Sequence, residues 1–256
     1  FLADVLGVYD VFGGGPRAAL ATAAQVPVND PLLLVPAMAS VTRHLGFGVT
    51  ANLSYEPPYA FARRMSTLDH LTEGRIGWNI VTGYLDSAAR AAGRPKQTAH
   101  DDRYDVAEDY MALLYKLWEA SWDDDAVVAD RERGVFADPD RVRAVRHDGP
   151  HFKLDAVHLS EPSPQRTPVL YQAGASGAGK DFAARNAECV FVGAPTKATL
   201  KAYVADIRAR ARAEGRDPHK ILVYTLVTII TDETDAKAQA KFEQLKSYSS
   251  YHGSLV

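Results

Sequence analysis

Gly74-Arg75-Ile76-Gly77-Trp78-Asn79-Ile80-Val81-Thr82 is the stretch on which the fold turns. Its apolar residues run on without alternating with polar ones. That is the pattern of a strand covered on both faces, as in a parallel sheet, and not of a half-solvated antiparallel strand. Its strand is expected at Ile76–Val81, and working outward, similar short runs occur at Phe1–Asp4, Gly46–Thr50, Val169–Gln172, Val190–Val192 and Ile221–Ile230. Helical spacing separates them. Met111, Leu114, Tyr115 and Trp118 fall on one apolar face, as do Leu200, Tyr203, Val204 and Ile207, with Gly215 and Pro218 as stop signals. Thr234 is placed to cap a last helix through Phe242 and Leu245. Alternating strands and helices predict βα units around a parallel sheet. Periodicity alone leaves two architectures open, a (β/α)8 barrel and an open, doubly wound sheet.

The segment from about Asp123 to Pro168 lacks this rhythm and carries loop signals at Asp138-Pro139-Asp140 and Asp148-Gly149-Pro150. It reads as an excursion from one domain spanning residues 1–256. The chain begins at Phe1, within an apolar run, and stops at Ser254-Leu255-Val256 without a turn signal, so both ends read as cuts.

Composition narrows the function. With 29 Lys plus Arg against 32 Asp plus Glu, the net charge is −3, and no basic block offers itself to nucleic acid. No run approaches the roughly 18 apolar residues of a membrane span. Cys189 is the single cysteine and sits in the apolar run Cys189-Val190-Phe191-Val192, which predicts a buried structural thiol and is compatible with a reducing cytoplasm. His147, His151 and His158 lie in the polar excursion without a shared face, a poor basis for a metal centre.

Several positions invite chemistry, each with a plain structural alternative. Asp4 ends an apolar run, where ligands bind in both candidate folds, but it could equally be a helix cap or turn residue. Thr50 ends the run Leu45-Gly46-Phe47-Gly48-Val49-Thr50, and its hydroxyl could meet a heterocycle or simply reflect strand propensity. Asn79 places a carboxamide in an apolar strand, where it must find a partner, either a pyrimidine-like ring or the backbone. His100 and Tyr104, four apart, face the same way on a helical turn, in a segment otherwise readable as an acidic helix start capped by Asp101. Gly174-Ala175-Ser176-Gly177-Ala178-Gly179 follows a strand and precedes a helix. Its small residues suit a backbone nest for phosphate or an ordinary turn, and its spacing is neither a dinucleotide nor a Walker motif.

Longer runs are more specific. Phe1 to Val11, Gln25 to Pro31, Tyr59 to Thr72, Gly74 to Thr82, His100 to Tyr104, Tyr115 to Glu119 and Glu161 to Gly174 occur in order over nearly the whole chain. Together they resemble flavin-dependent monooxygenases of the bacterial luciferase-like superfamily, in the branch of nitrilotriacetate, dibenzothiophene-sulfone and long-chain-alkane monooxygenases. The resemblance implies a (β/α)8 TIM barrel with an insertion, of which the first and eighth strands lie outside this chain. It implies FMN at the carboxyl ends of the strands, with contacts falling on Asp4, Thr50, His100, Tyr104 and Ser176. It implies a reaction of FMNH2 and O2 that oxidises a small organic substrate through a flavin C4a-hydroperoxide. Reduced flavin would come from a separate reductase, in keeping with the missing dinucleotide motif, and the expected setting is a cytoplasmic homo-oligomer. Where the alkane monooxygenases carry histidine this chain has Tyr84, which argues against an alkane. The alternatives are an inactive flavin-binding remnant and a deazaflavin-dependent oxidoreductase on the same fold.

Overall fold

The computed structural model describes all residues, 1–256. In chain order the helices are α1 (Arg17–Thr22), α2 (Leu34–Ser40), α3 (Pro58–Thr72), α4 (Asp86–Ala91), α5 (His100–Tyr115), α6 (Gly177–Asn186), α7 (Lys197–Ala213), α8 (Asp235–Ser247) and α9 (Tyr251–Ser254). The strands are β1 (Phe47–Asn52), β2 (Ile76–Val81), β3 (Val127–Asp130), β4 (Val135–Ala137), β5 (Val145–Asp148), β6 (Lys153–Ala156), β7 (Val169–Gln172), β8 (Cys189–Val192) and β9 (Leu222–Thr225). None of the helices is long and apolar enough to cross a membrane. The chain divides into two compact units. One holds Phe1–Asp4, Asp30–Thr82 and Thr98–Tyr224, and the other Val5–Asn29, Gly83–Gln97 and Thr225–Val256.

The first unit is built on a sheet in the order β1-β2-β7-β8-β9. β1 with β2, β2 with β7, and β7 with β8 pair in parallel. Once the hairpins β3–β4 and β5–β6 are set aside, each strand lies beside the next one in sequence. A doubly wound sheet reverses its strand order at a switch point, and this sheet does not. The consecutive order is that of a barrel wall, as the resemblance implies.

The register decides which side chains face which way. Val49, Trp78 and Leu170 form one row and Thr50, Asn79 and Tyr171 the next. Successive side chains along a strand point to opposite faces. The Trp78 row is covered by helices. Its indole lies 4.5 Å from the ring of Phe61 on α3 and 6.3 Å from that of Tyr110 on α5, and its Nε1 donates to the Ala51 carbonyl at 2.9 Å. All three rings are fully buried. The Thr50 row therefore looks away from the helices. There the rings of Tyr171 and Phe191 stack at 5.8 Å, with Phe1 edge-on to Phe191 at 4.7 Å. Gly77 makes room for this layer, because a Cβ there would come within 2.7 Å of the Tyr171 ring and 3.1 Å of the Val169 carbonyl. The same holds at Gly48, where a Cβ would come within 2.9 Å of the Phe1 ring. This strand glycine thus serves an aromatic neighbour. Gly77→Ala is expected to cost about 1–3 kcal/mol by overpacking, read as a lower denaturation midpoint.

Several expectations need correction. Phe1–Asp4 is not a strand, since Leu2 alone bridges Val49. β9 stops at Thr225 and does not run to Ile230. Its neighbour β8 ends at Val192, so residues beyond Thr225 have no ladder to join, and Leu226, Val227 and Ile229 are exposed. The excursion is structured as two antiparallel hairpins, β3–β4 and β5–β6. Asp101 does not cap α5; Ala99 occupies that position, without a side-chain hydrogen bond. Cys189 is a free, buried thiol, as expected. In the second unit, the Tyr84 hydroxyl is bonded to that of Tyr9, and Asp10 pairs with Arg90.

Candidate functional site

Two groups of residues at the carboxyl ends of the strands carry the site. The first lies on β1 and β2. Thr50 and Asn79 are cross-strand neighbours, and both are buried, at 5% and 6% exposure. The Asn79 Nδ2 donates to Thr50 Oγ1 at 3.0 Å. Asn79 Oδ1 is buried and has no partner. Leaving such an acceptor unmade costs about 1–3 kcal/mol, so it marks a place where a donor is wanted. The pair therefore offers one free acceptor beside a hydroxyl whose proton is still available. That set complements a heterocycle carrying an N–H next to a carbonyl.

Asp4 reaches this end of the sheet through the backbone. Leu2 N–H donates to the Gly48 carbonyl at 2.7 Å and Thr50 N–H to the Leu2 carbonyl at 2.9 Å. Two residues further on, Asp4 lies at the carboxyl end of that pairing and is half-buried.

The second group surrounds the turn from β7 into α6. Ser176 is the N-cap of α6, its Oγ accepting from the Gly179 N–H at 3.0 Å. The plain capping alternative is thus realised, but it does not exhaust the hydroxyl, which keeps its own proton to donate. Tyr104, on the first turns of α5, comes to the same spot. A Cβ added to Gly179 would lie 2.7 Å from Tyr104 Oη and 3.1 Å from Ser176 Oγ. Two hydroxyls and the Gly174 Cα thus crowd the place that a side chain would take, so glycine is what lets the hydroxyls meet at this helix N-terminus. The N–H groups of the first turn point the same way, and the helix dipole favours an anion there. Further support lies beneath the turn. Gln172 is buried, its amide sits against Gly174, and its Oε1 has no partner.

His100 is exposed and its Nδ1 is 2.7 Å from the Asp101 carboxylate. Its ring packs edge-on to Tyr104 at 5.3 Å, so the four-residue spacing does place both on one face. Tyr104 packs in turn against Phe182 of α6 at 5.7 Å. The structure therefore joins His100, Tyr104 and Ser176 in one cluster, and Thr50 with Asn79 in another.

Sequence reasoning did not single out Tyr203 and Lys180. The Tyr203 hydroxyl on α7 donates to the Gly174 carbonyl, and burial, with Asp206 and Tyr104 nearby, pushes its pKa up, so it stays a neutral donor. Nothing in the spacing of α7 distinguishes this tyrosine from a core residue.

The conserved sequence profile of luciferase-like monooxygenases matches residues 15–255. Dimethyl-sulfide monooxygenase of Hyphomicrobium sulfonivorans is 51% identical over 256 residues, which are 100% of this chain and 53% of that protein. The crystal structure of a long-chain alkane monooxygenase superposes with a TM-score of 0.97 at 50% identity, covering 99% of this chain and 58% of that one. A riboflavin lyase solved with modified FMN and riboflavin gives a TM-score of 0.93 at 41% identity, covering 98% and 56%. The chain thus spans little more than half the length of the relatives it matches.

Proposed function

We propose, from the premise that this chain belongs to the luciferase-like monooxygenase family, that it carries the FMN site of a reduced-flavin-dependent monooxygenase acting on a small organic substrate with O2. The observation that carries this reading is that Tyr104 Oη and Ser176 Oγ come together against Gly179 at the start of α6, where only a glycine leaves them room. The donor set suits a phosphate monoester beside the turn, since it offers two hydroxyls and the backbone N–H groups of the first helical turn.

Each residue then has a task. Tyr104 and Ser176 hold the phosphate, and His100 packs on Tyr104 to fix its ring. Thr50 and Asn79 present a donor and an acceptor to the flavin ring, and their burial keeps water from the same place. Asp4 lines the strand end beside them. Bound reduced FMN would supply the two electrons with which O2 places one oxygen atom in the substrate and releases the other as water. The reduced flavin is delivered by a separate reductase, and the working protein is a homo-oligomer in the cytoplasm.

The test is flavin affinity. Tyr104→Phe combined with Ser176→Ala is expected to weaken FMN binding by about 2–3 kcal/mol, the worth of two charge-assisted hydrogen bonds. Fluorescence quenching measures it, and an unchanged affinity removes both residues from the site. Oxygen consumption with reduced FMN then separates a monooxygenase from a flavin-binding remnant, which would bind without turnover. A preference for a deazaflavin would point to the third class.

A further inference from the structure

We propose that Lys180 supplies the countercharge of the phosphate cradle and makes it select a phosphorylated flavin over an unphosphorylated one, with Asp206 acting as a brake on that charge. This rests on the flavin reading given above.

Every donor of the cradle is neutral: two hydroxyls and the backbone N–H groups of one helix turn. A phosphate monoester near neutral pH carries close to two negative charges, and a helix N-terminus answers with roughly half of one positive charge. α6 contains two cations, Lys180 and Arg185. Arg185 lies in its last turn and pairs with Glu108 and Glu214, at the end remote from the cradle. Lys180 lies in the first turn, where its N–H donates to the Ser176 carbonyl at 2.9 Å. Its ammonium rests 4.7 Å above the ring of Tyr203, the residue whose hydroxyl holds the Gly174 carbonyl. Lys180 is thus stacked on the side chain that ties down the glycine turn.

Lys180 is not free in this arrangement. Its Nζ pairs with Asp206 at 2.8 Å. That carboxylate also receives the Nε of Arg210 at 2.9 Å, and Arg210 is bonded in addition to Asp181. The two cations and two carboxylates cancel. If Lys180 turns toward an anion, Asp206 keeps Arg210 and is not left alone, so the pairing can be exchanged at small cost. The same shared carboxylate mutes the positive potential that the cradle can offer. The Lys180 side chain keeps 20% of its surface exposed, and its four-carbon stem is intrinsically flexible.

These relations give effects of opposite sign. Titration of the full chain with FMN and with riboflavin reads them out. Lys180→Met keeps an apolar stem over Tyr203 but removes the charge. It is expected to raise the Kd for FMN about ten-fold and to flatten its salt dependence, leaving riboflavin unchanged. Asp206→Asn should tighten FMN binding several-fold, again without an effect on riboflavin, and that gain should vanish in the Lys180→Met background. A purely structural ion pair predicts the reverse for Asp206→Asn, with weaker binding of both flavins alongside a lower melting temperature. An FMN Kd in Lys180→Met within two-fold of the unaltered chain, or weaker FMN binding in Asp206→Asn, overturns the assignment while the flavin reading stands. If the unaltered chain binds neither flavin, the flavin reading itself falls, and this inference with it.

Discussion

Asp109→Ala is expected to destabilise the protein by about 3–5 kcal/mol, the usual cost of breaking a buried, fully bonded ionic group by removing one partner. The Asp109 side chain on α5 is almost wholly buried, as is that of His147 on β5. One carboxylate oxygen accepts from His147 Nε2 at 2.9 Å, and the other accepts from the His151 and Phe152 N–H groups at 2.8 and 2.9 Å. Lys116 Nζ donates to His147 Nδ1 at 3.2 Å, which fixes the proton on Nε2. Removing the carboxylate leaves three donors without this acceptor, one of them on the buried His147 ring. Gly149 is equally committed, because a Cβ there would collide with the Asp109 carboxylate and His147 Nε2. Gly149→Ala should therefore reproduce much of the loss. Both variants are to be compared by urea denaturation at neutral pH. A change under 1 kcal/mol for Asp109→Ala would falsify the role given to this network.

The pH dependence of the same carboxylate has a definite sign. Burial pushes the Asp109 pKa up, but the N–H groups of His151 and Phe152 and the His147 ring outweigh it and leave the pKa below the ordinary value. A depressed carboxylate stabilises the fold fully above its unfolded pKa, and that contribution is lost as pH falls through the folded one. Asp109→Asn should lose this part of the acid sensitivity. The network pins the β5–β6 hairpin onto α5, the helix that carries the proposed site residues His100 and Tyr104.

His158 gives the second large effect, in a different pH window. It is 3% exposed, its Nε2 is hydrogen-bonded to Ser66 Oγ at 3.0 Å, and its Nδ1 has no partner. Burial lowers its pKa from 6.5 to about 4. The imidazole is therefore neutral when folded and takes up a proton on unfolding. For a base with a depressed pKa, stability is complete above the unfolded value and falls as pH drops from about 6.5 toward 4. The loss attributable to this ring is roughly 3 kcal/mol over that interval. His158→Gln can keep the bond to Ser66 and does not titrate. The difference in unfolding free energy between pH 7.5 and pH 4 should therefore be smaller in the variant by about that amount. Equal pH profiles for the two proteins would show that the ring is charged in the fold.

Much of the local structure was legible in the chain. Val169–Gln172 and Ile76–Val81 are strands with the bounds that their unbroken apolar runs predict. Thr234 does cap α8, accepting from the Lys237 N–H. The turn at Ser176 does open a helix. The four hairpin strands were not legible, because their few apolar residues are mostly half-buried or exposed and stand among charged ones.

The sequence by itself determined the kinds of element, the parallel character of the sheet and the family resemblance, because these rest on the order of apolar and polar residues along a few turns of chain. It also named Tyr104 and Ser176, which lie 72 positions apart but belong to separately recognisable motifs. The tertiary structure alone decided that both hydroxyls meet at Gly179, that Asn79 keeps an unpaired oxygen, that Asp109 gathers donors from residues 147, 151 and 152, and that Lys180 shares Asp206 with Arg210. Each of these is a distance between groups far apart in the chain. Hydrogen bonds and ion pairs act over about 3–4 Å, so they come into being only once the strands are in register and the helices are packed against them.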